Sequence, residues 1–190
     1  METDQINKLK AGNEKAFHEL VEMYKDNVLN TCYHYIHNRM DAEDLAQEVF
    51  IEVHRSIHHF KEDAQLSTWI YRIAVNKSLD LIRKRKRKKR FGYLVSIFTP
   101  EDDERDVQLP DSGDPETSLE QKERMQILYS AIENLAENQK TALTLSKFEG
   151  LSNKEIADIM NTSVSSVESL LHRARSNLRQ KLHNYFKDFY

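Results

Sequence analysis

Hydrophobic residues recur at spacings of three and four along most of the chain, and this period places them on one face of an α-helix. The first such stretch spans residues 16–36, the second is DAEDLAQEVFIEVHRSI at 41–57, and the third is LSTWIYRIAVNKSLDLI at 66–82. Asp41 is the predicted N-cap of the second helix. Its predicted buried face comprises Ala42, Leu45, Val49, Val53 and Ile57. The N-terminal half is therefore predicted to be a small helical bundle.

The helical pattern stops over residues 91–117. An acidic cluster, EDDERD, is followed there by LPDSGDPETS with two prolines and a glycine, and neither segment has apolar periodicity. We therefore predict a flexible linker at 91–117 between domains at 1–90 and 118–190. Only four glycines and three prolines occur in 190 residues, too few for a turn-rich β-fold. The predicted fold class is all-α, with two small helical domains.

The C-terminal half contains the clearest local pattern. Helices are predicted at 118–135 and 138–148, followed by GLSNKEIADIMNTSVSSVESLLHRARSNLRQKL at 150–182. Gly150 suits the left-handed end of a helix, and Ser152 with Glu155 forms a capping box for the next one. A turn at 161–163 then leads into a longer helix, whose predicted inward residues are Val164, Val167, Leu171, Ala174 and Leu178. Two helices joined by a short turn are typical of a helix-turn-helix unit.

The polar residues of the longer helix suit the major groove of DNA. Short polar side chains near its start allow close approach to base edges, Arg173 is placed to reach guanine, and Arg175 suits phosphate oxygens. The predicted DNA-facing set is Ser165, Ser166, Glu168, Ser169, His172, Arg173 and Arg175. The alternative is an amphipathic helix with a solvated charged face.

Charge is distributed unevenly along the chain. The formal net charge is −3, yet Arg83–Arg90 is a run of eight basic residues, without which 20 basic residues face 31 acidic ones. Together with Asn76 and Lys77, the start of this run forms a polar, increasingly cationic stripe that suits a phosphate backbone. A disordered basic spacer and a polybasic membrane contact remain as alternatives.

An acidic face on the second predicted helix indicates a different kind of partner. Asp44, Gln47 and Glu48 lie opposite the buried residues, and acidic groups there would repel DNA. A solvated face is the default interpretation of such a pattern. The alternative is a contact with a basic helix of another protein.

Several classes of function find no support in the sequence. Cys32 is the only cysteine, no secretory signal or membrane-spanning stretch is present, and a soluble cytoplasmic protein without membrane insertion is expected. Histidines at 34 and 37 and at 54 and 58 share helix faces, but no further ligands complete a set, so we predict no metal site. No nucleophile motif or glycine-rich phosphate loop occurs. We therefore expect neither a cofactor nor catalysis.

Three motifs in order carry a resemblance to a known family. DAEDLAQEVFIEVHRSI, STWIYRIAVNKSLDLIRKRKR and LSNKEIADIMNTSVSSVESLLHRARSNLRQKL resemble the extracytoplasmic-function (ECF) sigma factors of bacterial RNA polymerase. The resemblance covers about 10–90 as sigma domain 2 and 118–185 as sigma domain 4. It implies a non-catalytic specificity subunit that binds core RNA polymerase and recognises the −10 and −35 promoter elements.

The resemblance also implies roles for individual residues. Asp44, Gln47 and Glu48 would bind the clamp helices of the polymerase β′ subunit, and the β flap would be a further contact. The segment before WIYRIAVN would capture a flipped base of the −10 element, with Asn76 nearby. The implied −10 set is Phe60, Lys61, Ser67, Thr68, Trp69, Arg72, Asn76, Lys77 and Arg83.

The helix 164–178 would lie in the major groove of the −35 element. Glu168 departs from the family pattern, because many relatives carry a basic residue there. An anti-sigma factor is an expected partner. The competing hypothesis is a stand-alone helix-turn-helix regulator with an N-terminal sensing or dimerisation domain, and a metal-dependent enzyme built on the histidines is a third.

Overall fold

The computed structural model describes the backbone of residues 3–96 and 119–187, with side-chain environments over 4–87, at 124 and over 127–183. These residues form helices and one 3-10 turn, and they contain no strand. The elements are α1 Thr3–Lys10, α2 Glu14–Ile36, α3 Arg39–Ser56, the 3-10 turn Ile57–His59, α4 Leu66–Ser96, α5 Leu119–Glu133, α6 Glu137–Lys147, α7 Asn153–Met160 and α8 Val164–Lys187. The chain divides into two compact units, Met1–Gln108 and Leu109–Tyr190. The predicted all-α class is confirmed.

The first unit is built on mutual packing of α2, α3 and α4. The predicted inward face of the second helix is confirmed, because its four residues in α3 are buried and so is Ile57, which lies in the 3-10 turn. Leu20, Val28 and Cys32 of α2 and Ile70 and Ala74 of α4 are almost fully buried as well. Burying these apolar side chains is what holds three amphipathic helices together.

The start of α3 differs from the prediction. Asn38, not Asp41, is the N-cap, and its side-chain oxygen accepts a hydrogen bond from the Asp41 backbone N–H at 3.0 Å. The helix begins early because His37, at φ 56°, ends α2 in the left-handed conformation and leaves a single extended residue before α3. Asp41 lies instead in the first turn, where a carboxylate interacts favourably with the helix dipole.

The helix α1 was not predicted. It buries Ile6 and Leu9 and packs against α2 and the 3-10 turn. Eight residues with only two large apolar side chains are too short to show a period. Its stability therefore comes from tertiary packing rather than from its own sequence.

The helix α4 is longer than predicted. Its 31 residues correspond to about 46 Å, and they include the whole basic run Arg83–Arg90. Positions 91–96 of the predicted linker are thus helical, and the remainder of that linker, 97–117, lies outside the described residues. None of the described helices is long and apolar enough to cross a membrane.

The second unit consists of α5 to α8, with α8 packed against the other three helices. Its core contains Ile132, Leu135, Leu143 and Ala174, and Leu128 and Leu178 pack against that cluster. Lys140 is buried but forms an ion pair with Glu133, which compensates for the burial of its charge. The asparagine side chain at 177 donates a hydrogen bond to Gln139 Oε1 at 2.9 Å and ties α8 to α6.

Candidate functional site

The acidic face of α3, defined as Asp44, Gln47 and Glu48, is exposed to solvent. The spacing of three and four residues places the three side chains side by side, opposite the buried Leu45 and Val49. Two carboxylates at this position disfavour nucleic acid and suit a basic protein surface.

Two exposed apolar residues extend the same face. Met40 lies one turn before Asp44 and Ile51 one turn after Gln47, and they are 77 % and 51 % exposed. The sequence did not single out either residue, because an isolated apolar position on a polar face resembles an ordinary surface residue. Methionine is enriched in protein–protein interfaces, so an exposed Met40 beside the carboxylates favours a protein partner.

Ion pairs join the adjacent faces of α3 and α4. Lys77 Nζ lies 3.7 Å from Glu48 Oε2 and 4.0 Å from Glu52 Oε2, and Arg85 pairs with Asp41 at 2.8 Å. Because Lys77 meets the end of α3 and Arg85 meets its beginning, the two helices run antiparallel. The acidic face of α3 and the cationic stripe of α4 are therefore neighbours that neutralise each other in part.

The predicted −10 residues on α4 differ in accessibility. Asn76 and Arg83 are exposed, whereas Arg72 and Lys77 are partly buried. Arg83 pairs with Asp80 of its own helix at 3.1 Å, an exposed pair that is weak in water and easily exchanged for a phosphate. The helix therefore presents Asn76 and Arg83 on the outside, two turns apart.

The loop at residues 61–65 joins the 3-10 turn to α4. Phe60 is buried and its ring packs against Trp69, with centroids 5.3 Å apart, and Thr68 is also buried. Lys61 is exposed and Ser67 is half-buried. Among these predicted −10 residues, Phe60 and Thr68 therefore pack on the inner side of the loop, while Lys61 lies on its solvent-exposed surface.

The helix-turn-helix geometry was predicted correctly at its ends and its turn. Gly150 has φ 66°, and Ser152 and Glu155 form the capping box in both directions. The Ser152 backbone N–H and hydroxyl both donate to the Glu155 carboxylate, at 2.9 and 2.7 Å, and these bonds hold the pKa of Glu155 below its ordinary value. Asn161, at φ 50°, ends α7, and α8 begins at Val164.

The outward face of α8 carries the predicted DNA-facing set. Six of its members are exposed, and Ser166 is half-buried. The Ser166 backbone N–H donates to Ser163 Oγ at 3.2 Å, and the hydroxyl of Ser169 donates to the Ser165 carbonyl at 3.0 Å. The hydroxyl of Ser163, just before α8, therefore caps the start of the helix.

Val164 is a correction to the sequence prediction. It was expected to face inward, but it is 41 % exposed. Val164 is the first residue of α8, one turn before the side chains that reach the core, and Val167 is the first one fully buried. The apolar spacing also predicts Ile156, Ala157 and Met160 as the inward residues of α7. Ile156 and Ala157 are buried as predicted, but Met160 is only partly buried, and Ile159 is buried instead.

Residues 20–88 match the family model for Sigma-70 region 2, and residues 125–178 match that for Sigma-70, region 4. The two matches fall in separate structural units, one on the helices α2 to α4 and the other on α5 to α8.

Similar proteins cover nearly the whole chain. The ECF RNA polymerase sigma-E factor of Haemophilus influenzae is 35 % identical over 184 residues, 95 % of each chain. The ECF RNA polymerase sigma factor SigW of Bacillus subtilis is 34 % identical over 180 residues, 94 % of this chain and 95 % of its own. The sigma factor RpoE of Bartonella quintana, solved with the anti-sigma factor NepR, shares the fold with a TM-score of 0.63 at 21 % identity, covering 89 % of this chain and 98 % of that one. The chain belongs to the ECF sigma factors of RNA polymerase.

Proposed function

We propose that this chain is a non-catalytic specificity subunit that joins core RNA polymerase through α3 and reads promoter DNA through α4 and α8. The observation that carries the proposal is that the first unit exposes two neighbouring surfaces of opposite charge. There, α3 exposes Asp44, Gln47 and Glu48 while α4 exposes Asn76 and a cationic stripe. One surface repels DNA and the other attracts it, so the unit suits a protein and a nucleic acid at once.

The core-binding role belongs to the acidic face of α3. We place the clamp helices of the polymerase β′ subunit against Asp44, Gln47 and Glu48, with Met40 and Ile51 supplying apolar contact at either end. Exposure of all five side chains supports this assignment. The second unit, including α8, would meet the β flap.

The −10 role belongs to the loop 61–65 and to α4. Separating duplex DNA costs about 1–2 kcal/mol per base-pair step, so an opened base must be held to offset that cost. Lys61 on the loop surface and Trp69 beside it would hold the flipped base, and Asn76 would hydrogen-bond to the same element. Arg83 and Lys77 would contact phosphates, a role that is salt-dependent.

The −35 role belongs to α8. Its exposed serines allow close approach to base edges, Arg173 would donate to guanine, and Arg175 would contact a phosphate. Glu168 is exposed next to Ser169 and would accept a hydrogen bond from a cytosine amino group. A carboxylate in this position makes the affinity for DNA lower and its sequence preference narrower.

The domain boundaries follow from these roles. We assign residues 1–90 to sigma domain 2, 91–117 to the linker and 118–190 to sigma domain 4, with α4 continuing six residues into the linker. Two linked domains that grip separate promoter elements reinforce one another. We place the protein in the cytoplasm, where polymerase and template are found.

An anti-sigma factor is the remaining proposed partner. The similar Bartonella quintana sigma factor was solved with such a protein. Because the acidic face of α3 is exposed in this chain, an inhibitor that covers it would prevent polymerase binding.

Reconstituted transcription tests the proposed function. Purified bacterial core polymerase, mixed with this chain and genomic DNA, should yield RNA with discrete start sites, and the two proteins should co-elute on gel filtration. A stand-alone helix-turn-helix regulator would instead bind operator DNA tightly without core polymerase. Absence of both specific RNA and a complex with core would refute the proposal.

A further inference from the structure

An ion pair ties α1 to the loop 61–65. Lys10 Nζ lies 2.6 Å from Glu62 Oε1, across 52 residues of sequence, with 28 % and 37 % of the two side chains exposed. Both groups are therefore partly shielded from water, and the pair is less screened than an ordinary surface pair. Neither residue has a role in the proposed contacts with polymerase or DNA.

The same lysine also contacts the aromatic residue at the start of the loop. Lys10 Nζ lies 5.9 Å from the centroid of the Phe60 ring, within the range of a cation–π interaction. The same ring packs against Trp69, on the first turn of α4. Lys10 thus contacts Phe60, just before the loop, and Glu62 within it, and through Phe60 it supports Trp69 in α4.

The backbone of the loop requires such support. Glu62 has φ 63°, a left-handed conformation that is uncommon for residues other than glycine and asparagine. A residue held there persists only when surrounding contacts favour it. The ion pair to Lys10 is a contact that fixes the side chain of this same residue.

The lysine itself comes from an anchored element. Ile6 and Leu9 of α1 are buried, and α1 packs against both α2 and the 3-10 turn that precedes the loop. Lys10 is the last residue of α1. Its ammonium group is therefore presented to the loop by a packed helix, as a precise binding loop requires.

From these contacts we infer that α1 positions the base-capturing loop, with Lys10 as the positioning residue. The inference rests on the proposed −10 role of the loop. Lys10 does not touch the captured base; it holds Glu62 and Phe60 so that the loop 61–65 and Trp69 keep the shape that receives it. Loss of Lys10 should impair promoter opening without loss of core binding.

The experiment uses the full chain with core polymerase and a promoter identified by start-site mapping. The probe is that promoter with 2-aminopurine in the non-template strand of the −10 element, whose fluorescence rises when the base leaves the stack. Lys10→Met should lower the fluorescence gain at least fivefold, while core affinity stays within twofold of wild type. Lys10→Arg, which preserves both the charge and the cation–π contact, should retain most of the gain.

Lys8→Met is the matched control. Lys8 belongs to the same helix and pairs with Asp4 at 2.5 Å, so the substitution removes the same charge and an ion pair that does not reach the loop. It should open the promoter as wild type does.

The outcomes separate this inference from the function on which it rests. A wild-type fluorescence gain with Lys10→Met, equal to that of Lys8→Met, overturns the positioning role and leaves the proposed function intact. A parallel loss of core binding and melting temperature in Lys10→Met overturns it too, because it would indicate general destabilisation. If the wild-type chain with core polymerase gave no rise in 2-aminopurine fluorescence, both proposals would be overturned.

Discussion

Lys77 Nζ of α4 lies 3.7 Å from Glu48 Oε2 of α3. The proposed function assigns Lys77 to DNA and Glu48 to polymerase, so one ion pair joins residues with different partners. If polymerase binds Glu48 as proposed, the attraction between Glu48 and Lys77 would weaken. The Lys77 ammonium group would then be more available to a phosphate.

Neutralising Glu48 should therefore strengthen DNA binding in the absence of polymerase. An exposed ion pair contributes about 0.2–1 kcal/mol, so Glu48→Gln should raise the affinity for a −10 single strand about twofold at low salt. Fluorescence anisotropy with a labelled oligonucleotide measures this change. Asp44→Asn is the control, since it removes the same charge from the same helix; equal effects of the two variants would contradict a specific role for the ion pair.

Reversing charge on the acidic face of α3 should weaken core binding. The variant Asp44→Lys with Glu48→Lys places cations against a basic partner surface, and we expect at least a tenfold loss of affinity, about 1.4 kcal/mol. Gel filtration and anisotropy with core polymerase measure the loss, and circular dichroism checks the fold. Glu22→Lys is the control: Glu22 is exposed on another helix, α2, where it pairs with Lys25 at 2.6 Å. Co-elution of the double variant at wild-type affinity would contradict the clamp assignment.

Asn76→Ala should separate promoter opening from core binding. Asn76 is exposed on α4, so the substitution leaves no cavity and should change the melting temperature little. We expect permanganate footprinting of the −10 element to show several-fold less opening at saturating core polymerase. An equal loss of core affinity would be inconsistent with a role in DNA recognition.

The capping box of α7 should make the stability of the second unit depend on pH. Hydrogen bonds from Ser152 lower the pKa of Glu155 below 4.5, so the stabilisation is present above pH 4.5 and is lost as the pH falls through the folded-state pKa. The difference in urea midpoint between wild type and Glu155→Gln should therefore narrow from pH 7 to pH 3. A constant difference would rule out a contribution from the charge of Glu155. Ser152→Ala should cost about 1 kcal/mol at pH 7.

Local chemistry explains which features of the fold were predictable. The capping box at Ser152 and the left-handed Gly150 depend on the few residues around them, and both were predicted. The cap of α3 was assigned wrongly to Asp41, because Asp41 and Asn38 are both good caps and only the end of α2 at His37 decides between them. Tertiary context therefore settled a choice that the local sequence left open.

The candidate site was predictable only where periodicity determined it. The exposed face of α3 follows from the helical period, and Asp44, Gln47 and Glu48 lie on it as expected. The burial of Phe60 and the contact between Lys10 and Glu62 were not predictable, because they bring together segments about 50 residues apart with no shared pattern. Val164 was misplaced because the inward stripe of α8 begins one turn later than its apolar residues do.

The unbroken course of α4 sets a geometric register for the whole first unit. Asn76 and Arg83 belong to one continuous helix, so their directions are related by a fixed screw of about 100° per residue. Inserting one residue between them would rotate the downstream cations by about 100° about the helix axis, away from the strand that Asn76 is proposed to contact, whereas seven inserted residues would bring them nearly back into phase. The number of residues between these two positions therefore fixes their relative direction, and only insertions or deletions close to whole helical turns would keep them on the same face.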